Sequence, residues 1–187
     1  MKRILCFGDS NTYGYDPRSF FGDRYGAQNR WTDLLAASTG WAVCNAGQNG
    51  RSIPPAAMAS RLLAPYGEMD ALVVMLGSND LLQGCSAAET TARMEAFLQP
   101  LLSCYPRILL IAPPPMQRGE WVPTDALVSE SVLLADCYRQ LSKRLGVDYA
   151  DGGSWNVELT FDGVHFTERG HHAFAAGLRE VLACSLA

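Results

Sequence analysis

Apolar residues along this chain follow two rhythms. Short, nearly continuous runs occupy residues 3–7, 42–45, 71–76, 108–112 and 147–150. Runs of that length, apolar throughout and not on alternate positions, are expected of strands covered on both faces, as in a parallel sheet between helices. Between them lie longer segments, 31–39, 56–63, 87–105, 126–145 and 168–182, where a helical reading fits better. Met94, Phe97, Leu98, Leu101 and Leu102 recur at helical spacing in the third segment. Leu127, Leu134, Tyr138, Leu141 and Leu145 line one face of the fourth.

Start and stop signals sharpen these segments. Ser86 with Glu89 fits a capping box at the start of 87–105. Pro100 interrupts the apolar stripe of that segment, so a kink or a break is predicted there. Gly146 follows 126–145 as its C-terminal cap. The alternation of runs and helices predicts an α/β fold, a three-layer α/β/α sandwich on a five-stranded parallel sheet. No linker, repeat or low-complexity stretch divides the chain, so residues 1–187 are expected to form one domain. The irregular stretches are 13–30, 46–55, 113–125 and 151–166. Three of them follow strands at the carboxyl edge of the sheet, where open α/β folds place their sites.

Composition narrows the classes. The chain has 187 residues and a net charge of −4, with no run of like charges. An acidic balance argues against nucleic acid, whose phosphates need a basic face. No apolar stretch approaches the roughly 18 residues that would span a bilayer. Lys2-Arg3 is followed by only four apolar residues, too few for a secretory leader, so a cytoplasmic location is expected. The six cysteines (Cys6, Cys44, Cys85, Cys104, Cys137 and Cys184) form no C-x-x-C pair. They read as reduced thiols used as small apolar residues, without zinc or a disulfide framework.

Candidate chemistry sits at the ends of the strand-like runs. Gly8-Asp9-Ser10 follows the first and puts a hydroxyl at the sheet edge. A helix cap or an anion-binding turn would use the same residues. Asp9 is expected to support the turn through backbone hydrogen bonds. Far downstream, Asp162-Gly163-Val164-His165 offers an imidazole and a carboxylate to orient it. A general base must be held in the right tautomer by a second group. His171 and His172 fall inside the last helix, where a packed or solvated role is expected. Gly77-Ser78-Asn79-Asp80 brings a neutral amide donor to the same edge. Asn45-Ala46-Gly47 follows the second strand and offers a backbone N–H where a side chain would obstruct a substrate. Asp80 reads as a turn or cap residue.

Together these four blocks resemble the SGNH (GDSL-type) hydrolase superfamily. Its signature Ser, Gly, Asn and His fall, in order, on Ser10, Gly47, Asn79 and His165. The resemblance runs from Arg3 to the last helix. Asn11 departs from the Leu that the family name implies and bears on pocket shape. Arg30-Trp31-Thr32, Ala112-Pro113-Pro114-Pro115 and the sequence around His165 resemble the arylesterase and acyltransferase branch in particular.

The resemblance implies a flavodoxin-like SGNH hydrolase fold and a serine esterase that needs no cofactor. Ser10, Asp162 and His165 would form its triad. Ser10, Gly47 and Asn79 would form the oxyanion hole, and Tyr13, Tyr15 and Trp121 would line the substrate pocket. Small acyl esters are the expected substrates, with transesterification as a companion activity. Carbohydrate acetyl esters, thioesters and lysophospholipids are alternatives on the same scaffold. Readings from other classes are a metal-dependent phosphoesterase and a non-catalytic flavodoxin-like binding module. The expected partner is a small ester, with no nucleic acid and no membrane. Oligomeric state is left open, a homo-oligomer included.

Overall fold

A computed structural model describes residues 1–20 and 23–186 of the chain. Five parallel strands form one sheet in the order β2-β1-β3-β4-β5. They are β1 (Arg3–Gly8), β2 (Ala42–Gly47), β3 (Ala71–Met75), β4 (Ile108–Ala112) and β5 (Asp148–Asp151). The three central strands are almost wholly buried, which explains their unbroken apolar character. β1 and β2 each run further than their apolar residues suggest, because Gly8 pairs with Gly47 at the end of the ladder. β5 is shifted one residue towards the C-terminus, and β3 stops one residue early.

Alternate side chains of each strand feed two cores. One face carries Leu5, Phe7, Leu72, Val74 and Leu110. It packs against α3 (Ala59–Leu63), α5 (Ala87–Leu98) and α6 (Asp125–Leu145). The other carries Ile4, Cys6, Val73, Met75 and Ile111, and packs against α2 (Trp31–Thr39) and α7 (Glu168–Ser185). Phe7 stacks on Phe97 at 5.5 Å, and each fully buried side chain of this size contributes about 1.5–3 kcal/mol. The α/β/α sandwich is therefore as the alternation predicts. Cys6 and Cys44 belong to opposite faces, and all six cysteines are free.

The caps also follow the sequence. Ser86 and Glu89 exchange both bonds of a capping box. Gly146 closes α6 in the left-handed region at φ 68°. The segment from 87 to 105 is not one helix. α5 ends at Leu98 and a 3₁₀ turn, Gln99–Leu101, follows. Pro100 has no N–H to give the ladder, and its ring would press on the preceding turn. Residues 56–63 likewise divide into a 3₁₀ turn, Ala56–Met58, and α3. Two short helices carry no apolar period to betray them: α1 (Ser10–Tyr13) after β1, and α4 (Ser78–Leu82) after β3.

β1 and β3 are neighbours, and their connections leave on opposite sides. Ligands of open α/β sheets bind in the crevice at such a switch point. Gly8 lies opposite Met75, so α1 and α4 start side by side on the rim of that crevice. No helix among the described residues is long and apolar enough to cross a membrane.

Candidate active site

The turn after β1 is built by Asp9. Its buried carboxyl accepts the Asn11 N–H at 3.0 Å and caps α1. Ser10 becomes the first residue of that helix, so its N–H has no partner within it. Burial pushes the Asp9 carboxyl up to about 6, against the pull of the Asn11 N–H and the nearby His165 and Arg51.

The folded protein thus holds this proton longer than the unfolded chain does. Stability should fall as pH rises from ~4 to ~6 and stay level above. The lift from 3.8 to about 6 corresponds to ~3 kcal/mol. Asp9→Asn keeps an acceptor for Asn11. It should be more stable than wild type by roughly 2–3 kcal/mol at pH 7.5 and nearly equal at pH 4. Urea denaturation at the two pH values checks this, and an equal difference at both would contradict it.

The second half of the site is the turn at 162–166. Gly163 adopts φ +82°, and a Cβ there would stand 2.1 Å from the Gln117 carbonyl oxygen. Only glycine fits this corner. One oxygen of Asp162 accepts the N–H groups of Val164 (2.8 Å) and His165 (2.9 Å). The other lies 2.6 Å from His165 Nδ1. Burial alone would raise this carboxyl. The imidazole bond and the two backbone bonds outweigh it and hold it at about 2. His165 Nε2 lies 2.9 Å from Ser10 Oγ.

Ser10, His165 and Asp162 are thus in one hydrogen-bonded line, each less than a tenth exposed. In that order the carboxylate orients the imidazole, and the imidazole can take the hydroxyl proton.

Asn11, the departure from the family pattern, joins the two halves. Its amide donates to the Val164 carbonyl at 3.1 Å and accepts the Phe166 N–H at 3.0 Å. It grips the backbone on either side of His165. Its own carbonyl is fixed by Trp31 Nε1 at 2.9 Å.

A cavity of about 270 Å³ opens over this line, walled by Ser10, Tyr15, Asn49, Gly50, Asn79, Trp121 and His165. A cavity of about 370 Å³ elsewhere, between Ser60 and Tyr105, has no hydroxyl–imidazole pair. Tyr15 and Trp121 flank His165 edge-on, with ring centres 4.8 Å and 4.9 Å away. Trp121 is held there by its N–H on the Asp162 carbonyl at 3.0 Å.

Tyr13 does not join them. It ends the one-turn helix α1, and its ring packs against the Arg24 guanidinium at 4.3 Å. The Pro113-Pro114-Pro115 run does not wall the cavity either. Pro114 and Pro115 abut Gly152 and Gly153.

Asn79 stands in the wall as expected. One amide hydrogen goes to the Arg51 carbonyl at 3.1 Å, which leaves the other for a ligand. Gly47 is placed differently from its expected role. Its N–H turns to Asn45 Oδ1 at 2.9 Å, and it does not wall the cavity. A Cβ on Gly47 would meet the Tyr13 nitrogen at 2.1 Å, so only glycine fits the close approach of β2 and α1.

Gly50, three residues on, does wall the cavity. Its φ is +70°, and its N–H makes no hydrogen bond within the described residues. The signal for it was a second glycine in the same loop, Gly47-Gln48-Asn49-Gly50.

His171 is packed, not catalytic. Its Nδ1 faces the Trp31 N–H at 3.4 Å, and burial first of all pushes its pKa down to about 3. His172 is exposed and contacts Asn29 at 3.2 Å. Among the described residues, no three His, Cys, Asp or Glu side chains cluster so as to hold a metal.

The family model for the GDSL-like lipase/acylhydrolase family matches residues 6–173. This chain belongs to that family. Its solved relatives are SGNH-type esterases, and the chain is a carboxylic ester hydrolase of this type.

It is similar to a carbohydrate acetylesterase family member from Sinorhizobium meliloti, with 28% identity and a TM-score of 0.87. That match covers 100% of this chain and 99% of the other. It is also similar to the aryl esterase of M. smegmatis, with 26% identity and a TM-score of 0.86 over 98% of this chain and 99% of the other. No curated protein sequence matches it.

Proposed function

We propose that this GDSL-family protein is a serine esterase for small acyl esters, acting through an acyl-enzyme. The observation that carries this is the contact of Ser10 Oγ with His165 Nε2 at 2.9 Å, backed by Asp162 at 2.6 Å. Ser10 Oγ attacks the ester carbonyl while His165 takes its proton. Asp162 keeps Nδ1 protonated and steadies the imidazolium. The oxyanion is held by the Ser10 N–H, the free Asn79 amide hydrogen and the Gly50 N–H, the last in place of Gly47. His165 then protonates the leaving alcohol, and water, activated the same way, releases the acid. The walls of Tyr15 and Trp121 favour an alcohol at this step too, which would give transesterification.

The cavity supports a short acyl group. Its 270 Å³ lies below the usual 300–1,000 Å³ of a drug-sized ligand site. The likeness to a carbohydrate acetylesterase supports acetyl as that group, with Trp121, 46% exposed, as a platform for the alcohol half. Acetyl to butyryl p-nitrophenyl esters should exceed octanoyl ester in kcat/KM by about tenfold or more, a difference of ~1.4 kcal/mol. Acetylated xylose run beside them tests the carbohydrate reading. A preference for octanoyl or longer chains would overturn the small-acyl assignment.

A further inference from the structure

We propose that Arg51 is the positioning residue of the oxyanion side, a strut whose guanidinium fixes the loop that presents Gly50 and orients Asn79. The inference rests on the esterase reading above. Arg51 is half-buried and does not wall the cavity. Its Nη1 donates to the Gly8 carbonyl at 2.9 Å and to the Ala46 carbonyl. Its Nη2 donates to Gln48 Oε1 at 2.9 Å. The guanidinium also lies 4.2 Å from the centre of the Phe7 ring. One side chain thus spans the ends of β1 and β2, reaching the β1 end two residues before Ser10, and grips the start of its own loop. Only a planar fork with several donors can satisfy those acceptors together.

The far side of the loop is fastened to α4 residue by residue. The Arg51 carbonyl accepts from Asn79 Nδ2 at 3.1 Å. Ser52 Oγ accepts from Gln83 Nε2 at 2.9 Å. The Ile53 N–H donates to the buried Asp80 carboxylate at 3.0 Å, which Arg93 holds at 3.0 Å. Residues 51–53 therefore form a bridge whose one pier is α4 and whose other is the Arg51 guanidinium on the β1 and β2 ends. The amide that would meet the oxyanion takes its orientation from the middle of this bridge. Oxyanion donors work through fixed placement, so a bridge free at one end should cost turnover more than binding.

The test uses Arg51→Met and Arg51→Lys, each also in an Asn79→Ala background, with p-nitrophenyl acetate as substrate. Rates are taken per folded molecule, judged by near-ultraviolet circular dichroism. Arg51→Met should lower kcat by roughly 10- to 100-fold with KM within about threefold. Arg51→Lys keeps the charge but not the fork, and should fall between. In the Asn79→Ala background the same Arg51 changes should cost at least about threefold less than they do beside Asn79, because one of the two donors they hold is already gone and only Gly50 is left to misplace.

A purely structural role would instead give equal losses in both backgrounds. That result, or a full kcat for Arg51→Met, or a loss confined to KM, overturns the proposal. If Arg51→Met does not fold, Arg51→Lys decides, and a loss under twofold overturns it. An inactive wild type would sink the esterase reading and this inference together. An active wild type with an indifferent Arg51 sinks this inference alone.

Discussion

Replacing Ser10 with alanine is expected to lower kcat for p-nitrophenyl acetate by roughly 10⁴–10⁶-fold, the usual cost of losing an activated nucleophile. Thermal stability should barely move. Among the described side chains Ser10 Oγ hydrogen-bonds only with His165, and the cap of α1 belongs to Asp9. An organophosphate or sulfonyl fluoride should label wild type at Ser10 and leave the variant unmodified. The label matters because it separates three chemistries. A metal-dependent phosphoesterase or a flavodoxin-like binding module would not form a covalent adduct at this hydroxyl. Residual hydrolysis above about 1% of wild type would remove Ser10 from the role, since even partial machinery leaves far less than that.

Why the strands were legible and the cavity wall at Gly50 was not can be traced to particular residues. β3 and β4 are buried on both faces, so their apolar runs could hardly be anything else. α6 shows its buried face through Leu134, Tyr138 and Leu141 and ends at a glycine. The hydrogen-bonded line of Ser10, His165 and Asp162 was legible because hydroxyl, imidazole and carboxylate are side-chain types that name themselves in the sequence.

An oxyanion donor made of backbone has no such signature. Gly47 and Gly50 are the same residue type three positions apart, and only torsions and contacts decide which faces the cavity. Gly47 is needed because a Cβ there would stand 2.1 Å from the Tyr13 nitrogen, a long-range approach invisible from either segment alone. Tyr13 and Tyr15 pose the same difficulty. The one-turn helix α1 and the left-handed Gly14 send their rings to different places. Asn11 was visible as a departure, but its grip on Val164 and Phe166 spans more than 150 residues of chain. Arg51 gave no signal either, because its partners are carbonyls at the ends of two other strands.

The same geometry makes Asp162→Asn an informative substitution. Asparagine has nearly the shape of aspartate, but its two ends differ. The end of Asp162 that accepts from Val164 and His165 meets two N–H donors. An NH₂ group cannot sit there, so the asparagine oxygen must take that place. Its NH₂ is then turned towards His165 Nδ1, 2.6 Å away in the wild type. Nδ1 must accept, and the ring proton moves to Nε2. Ser10 Oγ then faces a donor where it needs a base.

We expect kcat to drop by about 10³–10⁴-fold with little change in KM. The fold should survive at pH 7, because both backbone bonds keep an acceptor. Acid stability gives a second readout. Asp162 is held at about 2 in the folded protein, against an ordinary 3.8. Its ionised form stabilises the fold above pH ~4, and that contribution is lost as pH falls from ~4 to ~2. The asparagine variant has no such proton to take up, so its stability should decline less steeply across that window. An Asp162→Asn protein with more than a tenth of wild-type kcat would mean that His165 finds its tautomer without Asp162. The carboxylate would then be a turn-former and not the partner of the base.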